Sequence, residues 1–199
     1  SWPIMGKTDM LLGAFTLFSE SGIALNNKEL SLISIATDIA SIAIEGKRAE
    51  EKAIRLAHYD EVTHLPNRFL FNQYLVKALQ YAIKSKSRLA VMFLDLDRFK
   101  SINDIFDHKV GDRVLGHISL RMKEVLSNAD TIARVGGDEF MVLLEDFNTT
   151  RDITEVADRL LLAVSQSFKI NDQEMQITAS VGIALFPNDG IEAQELMKN

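Results

Sequence analysis

The 199-residue sequence contains no cysteine, three prolines, one tryptophan and ten glycines. Without cysteine there is no disulfide framework, no thiolate zinc site and no thiol nucleophile. No apolar run is long enough to cross a bilayer and no signal-peptide pattern opens the chain, so the expected location is cytoplasmic, without direct membrane contact. Positive charge is not in excess either: 22 Lys and Arg stand against 28 Asp and Glu, a net charge of −6. That balance excludes a protein whose main task is gripping nucleic acid or an anionic membrane. A phosphate-bearing ligand would have to be bound through local features, such as metal ions held by carboxylates. What is present is the make-up of a globular protein, 47% hydrophobic and 25% charged, which excludes a disordered chain. The length suits one domain, or one plus a fragment.

Residues 1–45 read as the end of one domain. Residues 10–18 (MLLGAFTLF) have the pattern of a strand with a bulge at Gly13, and Ser19, Glu20, Ser21 and Gly22 that of a turn. Asn26 or Asn27 then caps a long helix, with Glu29 in its first turn where the dipole favours an anion. One strand, one turn and one helix cannot close a core, so this segment is expected to be the remnant of a sensory domain. From Ile35 a seven-residue spacing follows: Ile35, Ile42, Ala49 and Leu56, with Ile39, Gly46 and Ala53 interleaved, as at heptad a and d positions. Residues 46–57 thus read as a helical linker pairing two chains in a parallel coiled coil. Because Gly and Ala make a weak seam, the alternative is a helix lying against its own domain.

Residues 58–199 alternate helical and strand patterns. Residues 69–83 form an amphipathic helix, and residues 89–94 (LAVMFL) a continuous apolar run, the mark of a strand buried on both faces. Residues 108–126 are helical, with Val110, Val114, Leu115, Ile118 and Met122 on one face. Residues 131–135 and 139–144 are strands joined through Gly136 and Gly137, hence a hairpin. A helix over 153–164, a strand over 176–185 and the start of a helix at 191–198 complete the pattern. The fold class is α/β, an α+β sandwich of helices on a mainly antiparallel sheet.

The central strand runs into Asp95-Leu96-Asp97. A carboxylate ending a buried strand is costly to desolvate unless paired or metal-bound; the alternative is that Asp95 or Asp97 caps a short helix over 98–103. In the hairpin, Gly136-Gly137-Asp138-Glu139 combines a tight turn with an acidic tip, and the glycines leave the backbone open to a large ligand. If the hairpin lies beside the central strand, Asp95, Asp138 and Glu139 converge at one sheet edge. Such oxygen ligands suit Mg²⁺ or Mn²⁺, the metals of phosphoryl and nucleotidyl transfer.

Arg134-Val135-Gly136-Gly137-Asp138-Glu139-Phe140 resembles the signature of the GGDEF family of diguanylate cyclases. Residues 60–68 (DEVTHLPNR) resemble the family's opening motif D-x-L-T-x-L-x-N-R, with Val62 for the first Leu. Residues 95–100 (DLDRFK), Ile102-Asn103-Asp104 and Gly111-Asp112 are similar to its metal-, phosphate- and guanine-binding segment, and Ser180-Val181-Gly182-Ile183-Ala184 to its late strand. The resemblance spans residues 58–199. Residues 1–45 more weakly resemble the end of a GAF sensory domain.

This resemblance implies a palm-like sheet shared with nucleotide cyclases and polymerases, and a homodimer that joins two GTP molecules into cyclic di-GMP. Asp95, the Leu96 carbonyl and Asp138 would hold Mg²⁺, and Glu139 would help to deprotonate the attacking hydroxyl. The N–H groups of Arg98, Phe99 and Lys100 would bind phosphates at a helix start, while Asn103 and Asp112 would read guanine, which offers both donors and acceptors. Outside the motif, Asn103 reads as a helix terminator and Asp112 as a first-turn anion.

Three departures stand out. Ser127-Asn128-Ala129-Asp130 lacks the Arg of the family's Arg-x-x-Asp product site. Ser cannot replace that bidentate fork, so no strong feedback inhibition is expected there. Asp107 stands where the family has Gly before its His. The sequence stops before the family's final helix, so the domain is expected to be truncated, and further domains are expected in the full-length chain. The competing function is a GTP-binding or dimerisation module regulating an adjacent domain such as an EAL phosphodiesterase.

Overall fold

The computed structural model describes residues 1–18, 25–145, 147–170 and 173–198; the turn expected at Ser19–Gly22 lies outside them. The chain divides into two compact units, Ser1–Arg55 and Leu56–Asn199. None of the helices of the described residues is long and apolar enough to cross a membrane.

In the first unit, β1 (Trp2–Met5) and β2 (Leu11–Phe15) form an antiparallel hairpin. Its register slips between Ile4 and Met5, opposite Gly13, where the bulge is expected. The sequence reading did not include β1, a four-residue strand interrupted by Pro3. Helix α1 (Asn27–His58) opens on a reciprocal cap. Asn26 Oδ1 accepts from the N–H groups of Lys28 and Glu29, both at 3.0 Å, and Glu29 Oε2 accepts from Asn26 N–H at 2.8 Å. Ser41 Oγ donates to the Met5 carbonyl and Glu45 Oε1 accepts from Lys7 N–H, so the hairpin lies along that face of α1. The heptad stripe is elsewhere on the helix and uncovered: Ile35, Ile39 and Ile42 are 55%, 62% and 68% exposed.

The second unit is built on β3 (Leu89–Leu96), the inner strand that divides its core. Around it run α2 (Arg68–Ser85), α3 (Phe99–Phe106), α4 (His108–Val125), β4 (Thr131–Gly136), β5 (Glu139–Leu144), α5 (Thr150–Ser165), β6 (Phe168–Ile170), β7 (Gln173–Met175), β8 (Ala179–Phe186) and α6 (Ala193–Leu196). The four-stranded sheet has order β4-β5-β3-β8 with every pairing antiparallel; β6 and β7 form a separate ladder. The apolar run of β3 follows from its position. Leu89 and Val91 join Phe71, Leu75 and Leu79 of α2 in one core. The alternate residues Ala90, Met92, Leu94 and Leu96 join Val114, Ile118 and Met122 of α4 and Leu160 of α5 in the other. Pleat alternation therefore places the Asp95 side chain on the α2 side of the sheet.

Several boundaries differ from the sequence reading: β2 is Leu11–Phe15 rather than 10–18, α2 is Arg68–Ser85 rather than 69–83, and α5 is Thr150–Ser165 rather than 153–164. The short helix is Phe99–Phe106 rather than 98–103, because Arg98 sits at φ 59°, outside the right-handed helix, and Ile102 and Phe106 extend the apolar face. The late strand, expected over 176–185, is β8 (Ala179–Phe186), because residues 176–178 are irregular chain whose Thr178 carbonyl accepts from Asp97 N–H at 2.8 Å. The last helix is confined to Ala193–Leu196 among the described residues.

Candidate active site

The register of the sheet gathers the acidic motifs. Asp95 at the end of β3 pairs with Glu139 of β5 on one side and Ser180 of β8 on the other. Leu96 N–H donates to the Asp138 carbonyl at 3.2 Å, pinning the hairpin tip to the strand end. Gly136 pairs with Glu139, leaving Gly137 and Asp138 as a two-residue loop. Gly137 sits at φ +30°, and a side chain there would meet nothing within 4 Å, so the turn faces open space.

The electrostatics differ in detail from a simple three-carboxylate cluster. Burial pushes the Asp95 carboxyl up, and the nearby charges of Asp138 and Asp97 push it further. Glu139, expected to converge with them, is the cross-strand neighbour of Asp95, and its Oε2 also lies 3.6 Å from Arg68 Nη2 in a partly exposed pair. Among the described residues no group of three or more His, Asp or Glu side chains is already gathered to hold a metal ion. Asp97 does not cap α3. Its Oδ2 accepts from Thr178 Oγ1 at 2.6 Å and its Oδ1 from Ser180 Oγ at 2.9 Å, and these hydroxyls hold it below the usual carboxylate range. A cleft of about 760 Å³ opens here, lined by Asp95, Asp97, Arg98, Ser101, Gln176 and Thr178 among others.

Arg98 starts α3 from the left-handed region (φ 59°, ψ 23°), with no side-chain cap on the helix. The Phe99 ring is buried in the core, whereas Lys100 is exposed. Asn103 is half-buried within α3 rather than at its end, although its carbonyl accepts from Asp107 N–H at 3.1 Å as the helix closes. Asp112 is exposed, beyond the first turn of α4, which contains no acidic residue. Asp107 occupies φ 101°, ψ 165° and caps α4, its Oδ1 accepting from Val110 N–H at 3.0 Å. Ser127 donates through both N–H and Oγ to Asp130 Oδ2, at 2.9 and 2.7 Å, which engages the carboxylate that the product motif would use.

The sequence reading did not give roles to the residues that brace this site. Arg134 Nη1 lies 3.0 Å from both Asp60 oxygens, while its Nε and Nη2 donate to the Gly137 carbonyl at 2.9 and 2.7 Å. Asp60 also accepts from the Thr63 N–H and hydroxyl. Arg68 Nε donates to the Val135 carbonyl at 3.1 Å. The opening motif thus buttresses the hairpin.

Comparison with known proteins agrees with this architecture. The family model "Diguanylate cyclase, GGDEF domain" matches residues 57–199. Over 98% of its length the chain is 38% identical to MucR of Pseudomonas aeruginosa, named a bifunctional diguanylate cyclase/cyclic di-GMP phosphodiesterase, and it covers 32% of that protein. It is 41% identical to NbdA of the same species, named a cyclic di-GMP phosphodiesterase, over 73% of this chain and 18% of the relative. The chain thus spans a third or less of the length of these curated relatives. A structure of the GGDEF domain of P. aeruginosa TpbB aligns with a TM-score of 0.68 at 37% identity, covering 71% of this chain and 83% of that one. With a family match over most of its length, and a sheet that places the Asp95 motif beside the Gly-Gly-Asp-Glu turn, the chain belongs to the GGDEF family.

Proposed function

We propose that the domain is a diguanylate cyclase that condenses two GTP molecules into cyclic di-GMP. The observation that carries this reading is the Asp95–Asp138 arrangement. A carboxylate raised by burial and by like charges is what a cation would relieve, and the glycine turn beside it leaves open space for a metal-bound triphosphate. Carboxylate and carbonyl oxygens fit a hard divalent ion, and Asp95, the Leu96 carbonyl and Asp138 would hold Mg²⁺ or Mn²⁺. Bound there, the metal would supply Lewis-acid stabilisation of charge on the reacting phosphates and on the attacking oxygen.

The chain's own residues would do the rest. The N–H groups of Arg98, Phe99 and Lys100, at the start of α3, would orient the β- and γ-phosphates. Gly136 and Gly137 leave room for the nucleotide backbone. Asn103 and Asp112 would present an amide and a carboxylate to the guanine edge. In each half-reaction the 3′-oxygen of one GTP attacks the α-phosphorus of the other, the bond to the β-phosphate oxygen breaks, and pyrophosphate leaves. Glu139 would take the hydroxyl proton, with Arg68 restraining its carboxylate.

One domain holds one GTP, so two domains must face each other. The exposed Ile35, Ile39 and Ile42 stripe supports a second copy pairing along α1. The GAF-like reading of the first unit and a cytoplasmic location belong to the same proposal. Product binding at the Arg-x-x-Asp position does not, because Ser127 stands where the bidentate Arg would be.

Incubation with GTP and Mg²⁺ is expected to yield cyclic di-GMP, and Asp138→Ala to abolish it. The likeness to NbdA favours a second reading, a GTP-binding module that regulates a neighbouring phosphodiesterase domain. Tight GTP binding without turnover in the wild-type protein would select it.

A further inference from the structure

We propose that Gly111 is a positioning residue for base recognition, seating the Asn103 carboxamide against α4 next to Asp112. The inference rests on the reading of Asn103 and Asp112 as the guanine-reading pair.

The geometry is specific to this glycine. A Cβ on Gly111 would lie 1.9 Å from Asn103 Oδ1, 3.0 Å from its Cγ and 3.2 Å from Phe99 Cζ. No real Cβ tolerates the first of these distances, so the Asn103 amide occupies the space that any other residue's side chain would claim. Phe99 and Asn103 are one helical turn apart, on one face of α3. That face rests on the bare α-carbon of Gly111. The Phe99 ring is buried and anchors α3, so Asn103 is the group that would have to give.

Hydrogen bonds fix the two helices in the same relation. Asp107 N–H donates to the Asn103 carbonyl at 3.1 Å, and Gly111 N–H donates to the Asp107 carbonyl at 3.2 Å. Asn103, Asp107 and Gly111 therefore form a continuous ladder across the α3–α4 corner, with Asp112 the next residue. The Asn103 side chain makes no hydrogen bond to another described residue, and none of its polar atoms is sealed from solvent without a partner. It is held by shape and left with its donors and acceptor available to a ligand. Gly116, one and a half turns further along α4, has open space around its α-carbon and carries no such constraint.

The test compares α,β-methylene analogues of GTP and ATP, which resist attack at the α-phosphate, by equilibrium binding in Mg²⁺. Gly111→Ala is expected to weaken the GTP analogue about tenfold, the value of a lost hydrogen bond, and to leave the ATP analogue unchanged. Equal weakening of both would mean a general distortion of α4 and would overturn the inference. Asn103→Ser is expected to weaken the GTP analogue alone. Adding Gly111→Ala to Asn103→Ser is expected to cost less than twofold more in GTP-analogue affinity, because the short Ser leaves room for the methyl and the Phe99 ring at 3.2 Å has to give by only a few tenths of an ångström. That comparison decides the matter even if Gly111→Ala alone fails to fold, and a larger further loss in the double variant overturns the inference. GTP affinity indifferent to Asn103→Ser would remove the guanine reading, and this inference with it. Sensitivity to Asn103→Ser without sensitivity to Gly111→Ala would remove the inference only.

Discussion

Arg134 ties Asp60 to the Gly137 carbonyl, so one guanidinium connects the start of the domain to the turn that presents Asp138. Both charged side chains are mostly shielded, 13% and 21% exposed. Arg134→Lys keeps the charge and loses the planar fork. A cost of about 1–2 kcal/mol is expected in urea denaturation, the scale of a charge-assisted hydrogen bond. The larger effect is expected on cyclic di-GMP formation, because the unbraced carbonyl belongs to the residue before Asp138. Full activity in Arg134→Lys would show that the turn holds Asp138 without the fork.

The same pair sets a pH dependence. Burial pushes the Asp60 carboxyl up, but the Thr63 hydroxyl and N–H and the Arg134 guanidinium outweigh it, and the group lies below its ordinary value. A carboxyl depressed in the folded state contributes stability that is fully present above its unfolded pKa of about 3.9 and is lost as the pH falls through the folded value. Asp60→Asn removes the titration. The stability gap between wild type and Asp60→Asn, measured by denaturation across pH, is therefore expected to be constant near neutrality and to close below about pH 4. A gap unchanged at pH 2 would mean that the Asp60 charge contributes nothing.

These residues also mark how far the sequence is legible. The apolar run at 89–94 and the Gly-Gly-Asp-Glu turn are local patterns, and each produced the element it implies. Their juxtaposition followed as soon as the hairpin was placed beside β3, since one register fixes Asp95 opposite Glu139. The Asp60–Arg134 pair is separated by 74 residues and the Thr178–Asp97 bond by 81. No periodicity encodes which distant charge or hydroxyl a carboxylate will find. Asp97 therefore reads locally as a helix cap, although Thr178 and Ser180 claim it across the sheet. The Arg68 contact of Glu139 is hidden for the same reason, because Arg68 lies in a motif with no visible link to the hairpin.

Asp107 combines a favourable cap with an unfavourable backbone. Its φ of 101° and ψ of 165° lie in a region natural to glycine, at a cost of about 1–3 kcal/mol for another residue. Its carboxylate caps α4 in return. Glycine at an N-cap costs only a few tenths of a kcal/mol relative to Asp, so Asp107→Gly is expected to raise stability by about 1 kcal/mol. Asp107→Ala keeps the strain and loses the cap, and is expected to lower stability by about 1 kcal/mol. Thermal denaturation of the two variants should shift in opposite directions. If both are destabilised alike, the backbone at residue 107 is not strained.

The uncovered stripe of α1 predicts how assembly and chemistry are coupled. At 100° per residue, Ile35, Ile39 and Ile42 fall within roughly 60° of arc, and all three are more than half exposed. A charge placed at such a position is costly to bury in a helix pair, yet it is tolerated in the single chain, where the position is already in water. Ile39→Asp is therefore expected to abolish self-association in sedimentation equilibrium without lowering the melting temperature of the nucleotide-binding unit. GTP affinity should be retained, because every proposed GTP-binding residue lies between Asp95 and Glu139. Cyclic di-GMP formation should instead fall and become second order in protein, since two domains would have to meet by diffusion. A variant that remains dimeric, or a monomer whose specific activity is independent of concentration, would show that the α1 stripe does not assemble the reacting pair.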